Sequence, residues 1–362
     1  MKKVLLILMC CMAIQSVHAQ DTPKWADKAK KAVFSIVTYD KENKIKNTGN
    51  GFYIDNNGTA LSDYSLFEDA ERAVIINADG KELPVTRIAG ANSMYDVIKF
   101  RTETEKKITA LKVATQPAAV GETVYLLPYS TQKAATCQTG KVTQVDTIAD
   151  KAYYYTLTMT TSDKTVSCPI MNANGEVLGL IQKSASEEDK ESYAIGASYG
   201  ESLSISPLSA NDINLNKIGI AKALPETEDQ ALVYLYMSSS QMDAKNYLAT
   251  LNDFLQAYPN STEGYTRRAG YYMNIGDDEH NALAEADLKK AMDVSGNKTE
   301  GQYNVAKIIY SYCINLEEGK KALELRQSIK YHSRSYRNRC TTGLYSIGRR
   351  YFICNAQLYR CV

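Results

Sequence analysis

The stretch Lys164 to Ile181, KTVSCPIMNANGEVLGLI, holds the side chains best suited to covalent chemistry. Ser167 brings a hydroxyl and Cys168 a thiol. They are followed by Pro169, the apolar Ile170 and Met171, an Asn174-Gly175 turn and the run Glu176 to Leu180. Either nucleophile needs a neighbouring base to take its proton. The usual base is an imidazole, yet no histidine lies between Gln20 and Asp229. Beyond His18 the chain holds only His280 and His332. Lys164 and Lys183 remain as candidate bases for a Ser-Lys pair with Ser167, although loop lysines are mostly solvated. Without an imidazole, Cys168 is expected to be buried and inert. There is no CxxC and no histidine cluster, so no metal or other cofactor is expected.

Composition narrows the setting. Met1-Lys2-Lys3, the apolar Val4 to Ile14 and the small residues of Val17-His18-Ala19 read as a signal peptide, with cleavage expected before Gln20. The apolar run is shorter than the roughly 20 residues that span a bilayer. Met9 stands where a lipidated Cys10 or Cys11 would want a small residue. Export to the periplasm or the medium, with no membrane span, is the expectation. From Arg326 onward there are eight Lys or Arg and no Asp or Glu. The body between leader and tail holds 32 basic against 41 acidic residues, which argues against nucleic acid as a partner. Six cysteines, at 137, 168, 313, 340, 354 and 361, enter a compartment that permits disulfides.

The elements that must position these residues begin with a short lead-in helix over 20–31, around Trp25. Strands follow at Ala32 to Tyr39, on either side of the Asn57-Gly58 turn, at Ala73 to Ile76 and at Leu83 to Ile88. More come at Val97 to Phe100, Thr123 to Leu127, Gly140 to Val145, Tyr153 to Thr158 and Glu176 to Ile181. Many short strands between Gly and Asn turns predict a sandwich or a barrel. The Tyr153-Tyr154-Tyr155 run fits a strand that buries alternate rings.

Four ordered segments carry a resemblance to trypsin-like serine peptidases of the HtrA type. TGNGFYIDNNGTALSDYSLF (Thr48 to Phe67) resembles GSGFVI-D-x-x-G-x-ILTN-x-HVV, and MYDVIKF (Met94 to Phe100) resembles the strand of the catalytic aspartate. CQTGKVTQV (Cys137 to Val145) resembles the strand opening the second barrel, and the Pro169 segment resembles GNSGGP and its hairpin. The resemblance implies an all-β chymotrypsin-like double β-barrel over 32–205, with an active site between two six-stranded barrels. It places Ser65 at the family's histidine, Asp96 at its aspartate and Val166 at its nucleophilic serine. Lys164, Ser167 and Cys168 replace the glycines that shape the oxyanion hole, where a Cβ restricts positive φ. Asp96 then reads as a buried carboxylate, a relic satisfied by hydroxyls such as Ser65 or Tyr64. A Cys137–Cys168 disulfide is also open. No PDZ domain is visible.

After a Pro-, Asn- and Ser-containing linker over 206–227, the period becomes helical. Tyr247, Leu248, Leu251, Phe254 and Leu255 share a face, and helices follow at Tyr265 to Ile275, Ala282 to Met292 and Tyr303 to Leu316, with another from Gly319. Ala269 and Ala306 are 37 residues apart, Ala286 and Ala322 are 36 apart, and such small residues let paired helices approach. Residues 228–325 resemble tetratricopeptide (TPR) repeats, an all-α array whose unit is about 34 residues. Such an array presents a concave surface to a protein or peptide partner, and Tyr265, Tyr271, Tyr272, Tyr303 and Tyr310 are candidate contacts. At helical spacing tyrosines more often pack between helices. The tail 326–362 reads as a native basic Cys-containing end or as a shifted reading frame. The sequence thus favours a pseudoprotease acting as a binding scaffold. The alternative is an active endopeptidase built on Ser167 and a lysine, or one given its base by a partner.

Overall fold

The computed structural model describes residues 22–104, 108–148, 152–182 and 191–313. The leader, Lys183, Ala322, the helix from Gly319 and the basic tail lie outside them. The described residues form two compact units. One runs to Ile205 and includes Asp212–Ala223; the other joins Ser206–Asn211 to the residues from Leu224.

The first unit consists of two closed antiparallel barrels. Strands β1 (Val33–Tyr39), β2 (Ile45–Tyr53), β3 (Thr59–Ser62), β4 (Arg72–Ile76), β5 (Glu82–Asn92) and β6 (Val97–Thr102) close in the order β1-β2-β3-β6-β5-β4. Strands β7 (Thr123–Leu126), β8 (Gln138–Ile148), β9 (Ala152–Leu157), β10 (Pro169–Met171), β11 (Val177–Ile181) and β12 (Ser192–Gly196) close in the order β10-β11-β12-β9-β8-β7. Read backwards, the second order repeats the first. Closure leaves no sheet edge unpaired.

Local chemistry sets the corners. Between β2 and β3, the Asp55 carboxylate accepts the N–H groups of Asn57 (2.7 Å) and Thr59 (2.9 Å), and Gly58 supplies a φ of +95°. The first barrel is filled by aromatic rings. Phe34, Phe52, Phe67 and Phe100 are fully buried, and Phe34 meets Tyr53 edge-on at 4.7 Å. Such pairs contribute about 0.5–1.5 kcal/mol beyond their buried area.

The lead-in helix is present as α1 (Ala26–Ala29), and it straps the second barrel before the chain enters the first. The Trp25 indole N–H donates to Ala173 O (3.0 Å), its ring meets Tyr125 edge-on, and Asp27 accepts the N–H of Ala135 (2.8 Å). The buried Lys30 donates to the carbonyls of Gln132 and Lys133. Trp25 rests on Gly175, where a Cβ would come within 2.7 Å of the indole and where φ is +77°.

The linker expected over 206–227 is structured. α2 (Ala197–Ser202) follows β12, and α3 (Ile213–Asn216) is capped by Asp212. Lys222 then pairs in parallel with Ile88 of β5, through Ile88 N–H to Ala221 O (2.8 Å) and Ala223 N–H to Ile88 O (2.7 Å). Its Pro and Asn residues read as loose chain, whereas Leu215, Ile218 and Ile220 are buried.

The second unit is helical: α4 (Glu228–Ser238), α5 (Ala244–Ala257), α6 (Thr262–Ile275), α7 (Asp278–Val294) and α8 (Lys298–Cys313). Thr227, Asp243, Ser261 and Asp277 each cap a helix by accepting a backbone N–H, as their residue types predict. Gly276, at φ +75°, ends α6. One apolar cluster joins Ala231 and Leu235 to Leu251, Phe254 and Leu255; a second joins Ala269, Met273, Ala284, Leu288, Ala291, Val305 and Ile309. Ala269 and Ala306 are buried, as their spacing predicts. Ala286 is not: it is exposed, and Ala284 and Ala291 are the close-packing alanines of α7. The period was legible there and the phase was two residues off. Arg268 grips the buried Asp287 with two parallel N–H bonds (2.8 and 2.7 Å) and reaches Asn252 with a third (2.8 Å). Gly270 sits inside α6 with nothing within 4 Å of where a Cβ would stand. Gly270→Ala is therefore expected to stabilise the unit by about 0.5–1 kcal/mol, read as a raised urea midpoint; a lowered midpoint would show that the site is not open.

Candidate active site

β3 ends at Ser62, and the chain turns through Asp63 into a single 3-10 turn, Tyr64–Leu66. That turn presents Ser65 to the bend before β6. The Ser65 N–H donates to Asp96 Oδ1 (2.7 Å) and its hydroxyl donates to Oδ2 (3.0 Å). Asp96 holds φ +48°, and Asn92 Oδ1 accepts the Tyr95 N–H (3.0 Å) to shape the bend. Gln182, just past β11, donates to Tyr95 O (2.7 Å) and accepts the Tyr154 hydroxyl (2.7 Å). The second barrel thus fixes the Asp96 bend of the first. Ser65 and Asp96 meet, with a hydroxyl where the family motif has an imidazole; Asp96 is only half-buried, not the buried carboxylate expected, because the bend before β6 lies at the surface. Tyr64 takes no part: its hydroxyl donates to Asn214 O (3.1 Å).

The loop carrying Val166 is folded in on itself. Ser162 O accepts the N–H groups of Thr165 (2.8 Å) and Val166 (3.2 Å). The Thr165 hydroxyl also binds Ser162, accepting its N–H (2.9 Å) and donating to its carbonyl (3.0 Å). From the first barrel, the Asn50 amide donates to Lys164 O (3.1 Å) and Val166 O (2.9 Å). An oxyanion hole needs an N–H aimed at the developing charge. The Val166 N–H is already spent on a carbonyl.

Ser167 is fully buried and keeps the left-handed geometry of the glycine it replaces, at φ +64°. The Cβ therefore does not prevent this backbone; it strains it, by roughly 1 kcal/mol. Pairing with β11 holds it there: Ser167 N–H donates to Ile181 O (2.8 Å), and Ile181 N–H to Cys168 O (3.0 Å). Its hydroxyl makes no hydrogen bond of normal geometry. Ser167→Gly is expected to stabilise the unit by about 1 kcal/mol, the strain and the orphaned hydroxyl both being removed. A thermal melt checks this, and a loss of stability would mean the hydroxyl is well bonded.

Beside Ser167 lies a group the sequence did not single out. Asp63 is 2 % exposed, and its Oδ1 has no hydrogen-bond partner. Burial pushes its carboxyl well above the carboxylate range, the charge of Asp96 pushes it further, and the Ser167 hydroxyl offsets part of this. Burial thus favours the neutral acid at Asp63. The Cys168 thiol is buried and pushed up to about 12, so it is no thiolate at neutral pH. Cys137, half-buried, is pushed up to about 11 by burial and by Asp27. Both are free, so the disulfide considered between them is absent.

The other candidates are placed plainly. Lys164 is exposed. Among the described residues the one histidine, His280, caps into Asp277 at the start of α7, with its ring 5.8 Å from Tyr272. Tyr265, Tyr271 and Tyr272 pack against the two helical clusters, and Tyr265 donates its hydroxyl to Pro259 O (3.1 Å). Tyr303 and Tyr310 are half-buried on α8. Of the Tyr153 to Tyr155 run only Tyr155 is buried. Among the described residues no cluster of metal-ligating side chains occurs, and no helix is long and apolar enough to cross a membrane.

The search of curated proteins returned no match to this chain. Residues 49–180 match the family model described as a trypsin-like peptidase domain, from within β2 to within β11. Two closed six-stranded barrels bridged by the Asn50 and Gln182 contacts fit the chymotrypsin fold, and on both grounds the chain carries a trypsin-like peptidase domain followed by a helical region.

Proposed function

We propose that this peptidase domain has lost proteolysis and serves as a scaffold, with the helical unit, read as TPR-like repeats, binding a protein or peptide partner in an exported protein. One observation carries the reading. The Asp96 carboxylate, which would orient an imidazole, is instead occupied by the backbone N–H and hydroxyl of Ser65. A serine hydroxyl there takes no proton at neutral pH, so a nucleophile would have no base. The Val166 side chain has no reactive group, and its N–H is turned to Ser162. For the helical unit, the support is the two apolar clusters, one joining α4 to α5 and one joining α6, α7 and α8, and the buried Ala269 and Ala306, 37 residues apart.

The test is a fluorophosphonate probe reaction on the purified protein, run beside casein digestion with a trypsin-like protease as control. Neither labelling nor cleavage is the expected result. Labelling lost in Ser167→Ala would overturn it and favour an endopeptidase built on Ser167.

A further inference from the structure

The loop 162–168 closes on the first barrel over a carboxyl that has no countercharge among the described residues. Asp63 Oδ1 and Ser167 Oγ are both buried and both without a hydrogen-bond partner, one on each side of the seam between the barrels. Buried polar atoms are paired in the great majority of cases, so two orphans side by side call for an explanation. Among the described residues, the titratable groups that bear on Asp63 are Asp96, of the same sign, from the bend before β6, and the neutral Cys168 thiol from the loop itself. No basic group among the described residues offsets it. A neutral acid is tolerated in such a place; a carboxylate is not, unless water reaches it.

The side of the seam able to move is the loop. Its hold on the first barrel is the Asn50 amide with two carbonyls. Ser167 is strained at φ +64° and its hydroxyl makes no normal hydrogen bond, so what release forfeits at the end of the loop is the pair of backbone bonds that tie residues 167 and 168 to Ile181. Asp63, by contrast, directly follows β3, whose Ser62 hydroxyl donates to Asn50 O (2.6 Å) and locks the strand end.

We propose that Asp63 is a proton-operated latch: as a neutral acid it lets the loop 162–168 close over the first barrel, and on losing its proton it releases the loop and uncovers Cys168. The device works whether or not the domain cleaves peptides. It makes the seam between the barrels open as pH rises, where the loop would become available to a partner or a protease.

The test reads Cys168 directly. The full-length protein is alkylated with iodoacetamide over a pH series, and the Cys168 adduct is quantified by peptide mass spectrometry, apart from Cys137 and the tail cysteines. A thiol gains thiolate about tenfold per pH unit below its own transition. If opening also requires Asp63 to ionise, the open fraction rises about tenfold per unit as well. Wild type is then expected to gain about a hundredfold per pH unit, and Asp63→Asn about tenfold. Equal slopes overturn the latch. Should Asp63→Asn fail to fold, carbon-13 NMR of aspartate-labelled wild type decides: the latch requires an Asp63 carboxyl that titrates together with exposure of Cys168. A carboxyl titrating in the ordinary range with the loop closed refutes it.

Discussion

Restoring the two missing side chains alone, Ser65→His with Val166→Ser, leaves the domain at least about a hundredfold slower on a chromogenic peptide than a variant that adds Lys164→Gly, Ser167→Gly and Cys168→Gly. The reason is the loop rather than the triad. A histidine at 65 stands beside a carboxylate already placed to receive it, since Asp96 accepts both the N–H and the hydroxyl of Ser65. A serine at 166 would still have its N–H tied to Ser162 O. One missing oxyanion donor costs about 10²–10³ in turnover. Glycines at 164, 167 and 168 give the backbone the freedom to turn that N–H outward. Equal rates for the two variants, whether measurable or at background, would show that the Val166 N–H is not what limits the site.

The second large effect is on stability against pH. A carboxyl whose folded value is raised binds its proton more tightly in the folded chain than in the unfolded one. The stabilisation is complete below the unfolded value near 3.9. It is lost as pH climbs toward the raised value. Asp63 is such a group, through burial first and the charge of Asp96 second. The barrel unit is therefore expected to lose stability from about pH 4 upward, by about 1.4 kcal/mol per pH unit, until the Asp63 transition is passed. Glu176 acts oppositely: the Lys112 ammonium (2.6 Å) and the Asn172 amide hold its carboxyl below its usual value. Its contribution is lost only as pH falls below about 4, so the two windows do not overlap. Urea melts of wild type and Asp63→Asn at steps from pH 4 to 8 check this. A flat Asp63→Asn profile beside a falling wild type is the expected pair, and parallel profiles would place the charge-sensitive group elsewhere.

The sequence carried the barrels because turns and strands were both local signals. Asn57-Gly58, Asp79-Gly80 and Asn174-Gly175 each fall in a connection between strands, and all three glycines hold a positive φ. The Ser65–Asp96 pair was legible because both residues lie in motifs whose order was recognisable. Asp63 was not. In Ser-Asp-Tyr-Ser an aspartate reads as an exposed turn residue, and only the arrival of Ser167 from the other barrel buries it. The same holds for Asn50, whose two acceptors lie more than a hundred residues away. The linker failed for a related reason: its composition is that of a loop, while Lys222 and Ala223 pair with Ile88 through the backbone, which composition does not report. In the helices the 3.6 period located the described elements, and Tyr265, Tyr271 and Tyr272 lie partly buried against the two clusters.

The strap at Trp25 sets an order of assembly. The indole closes a loop of 148 residues on Ala173, and Asp27 and Lys30 reach partners more than a hundred residues on. The segment before β1 can thus be seated only after β10 and β11 have formed the turn that receives it. Contacts of such long range slow folding, because the chain must be ordered before they reward it. They also bind the two barrels into one cooperative event: the first barrel cannot begin at β1 without leaving Trp25 free, and the second is unfinished until Trp25 arrives. A proteolytic nick just before β1 would therefore be felt in the barrel farther along the chain.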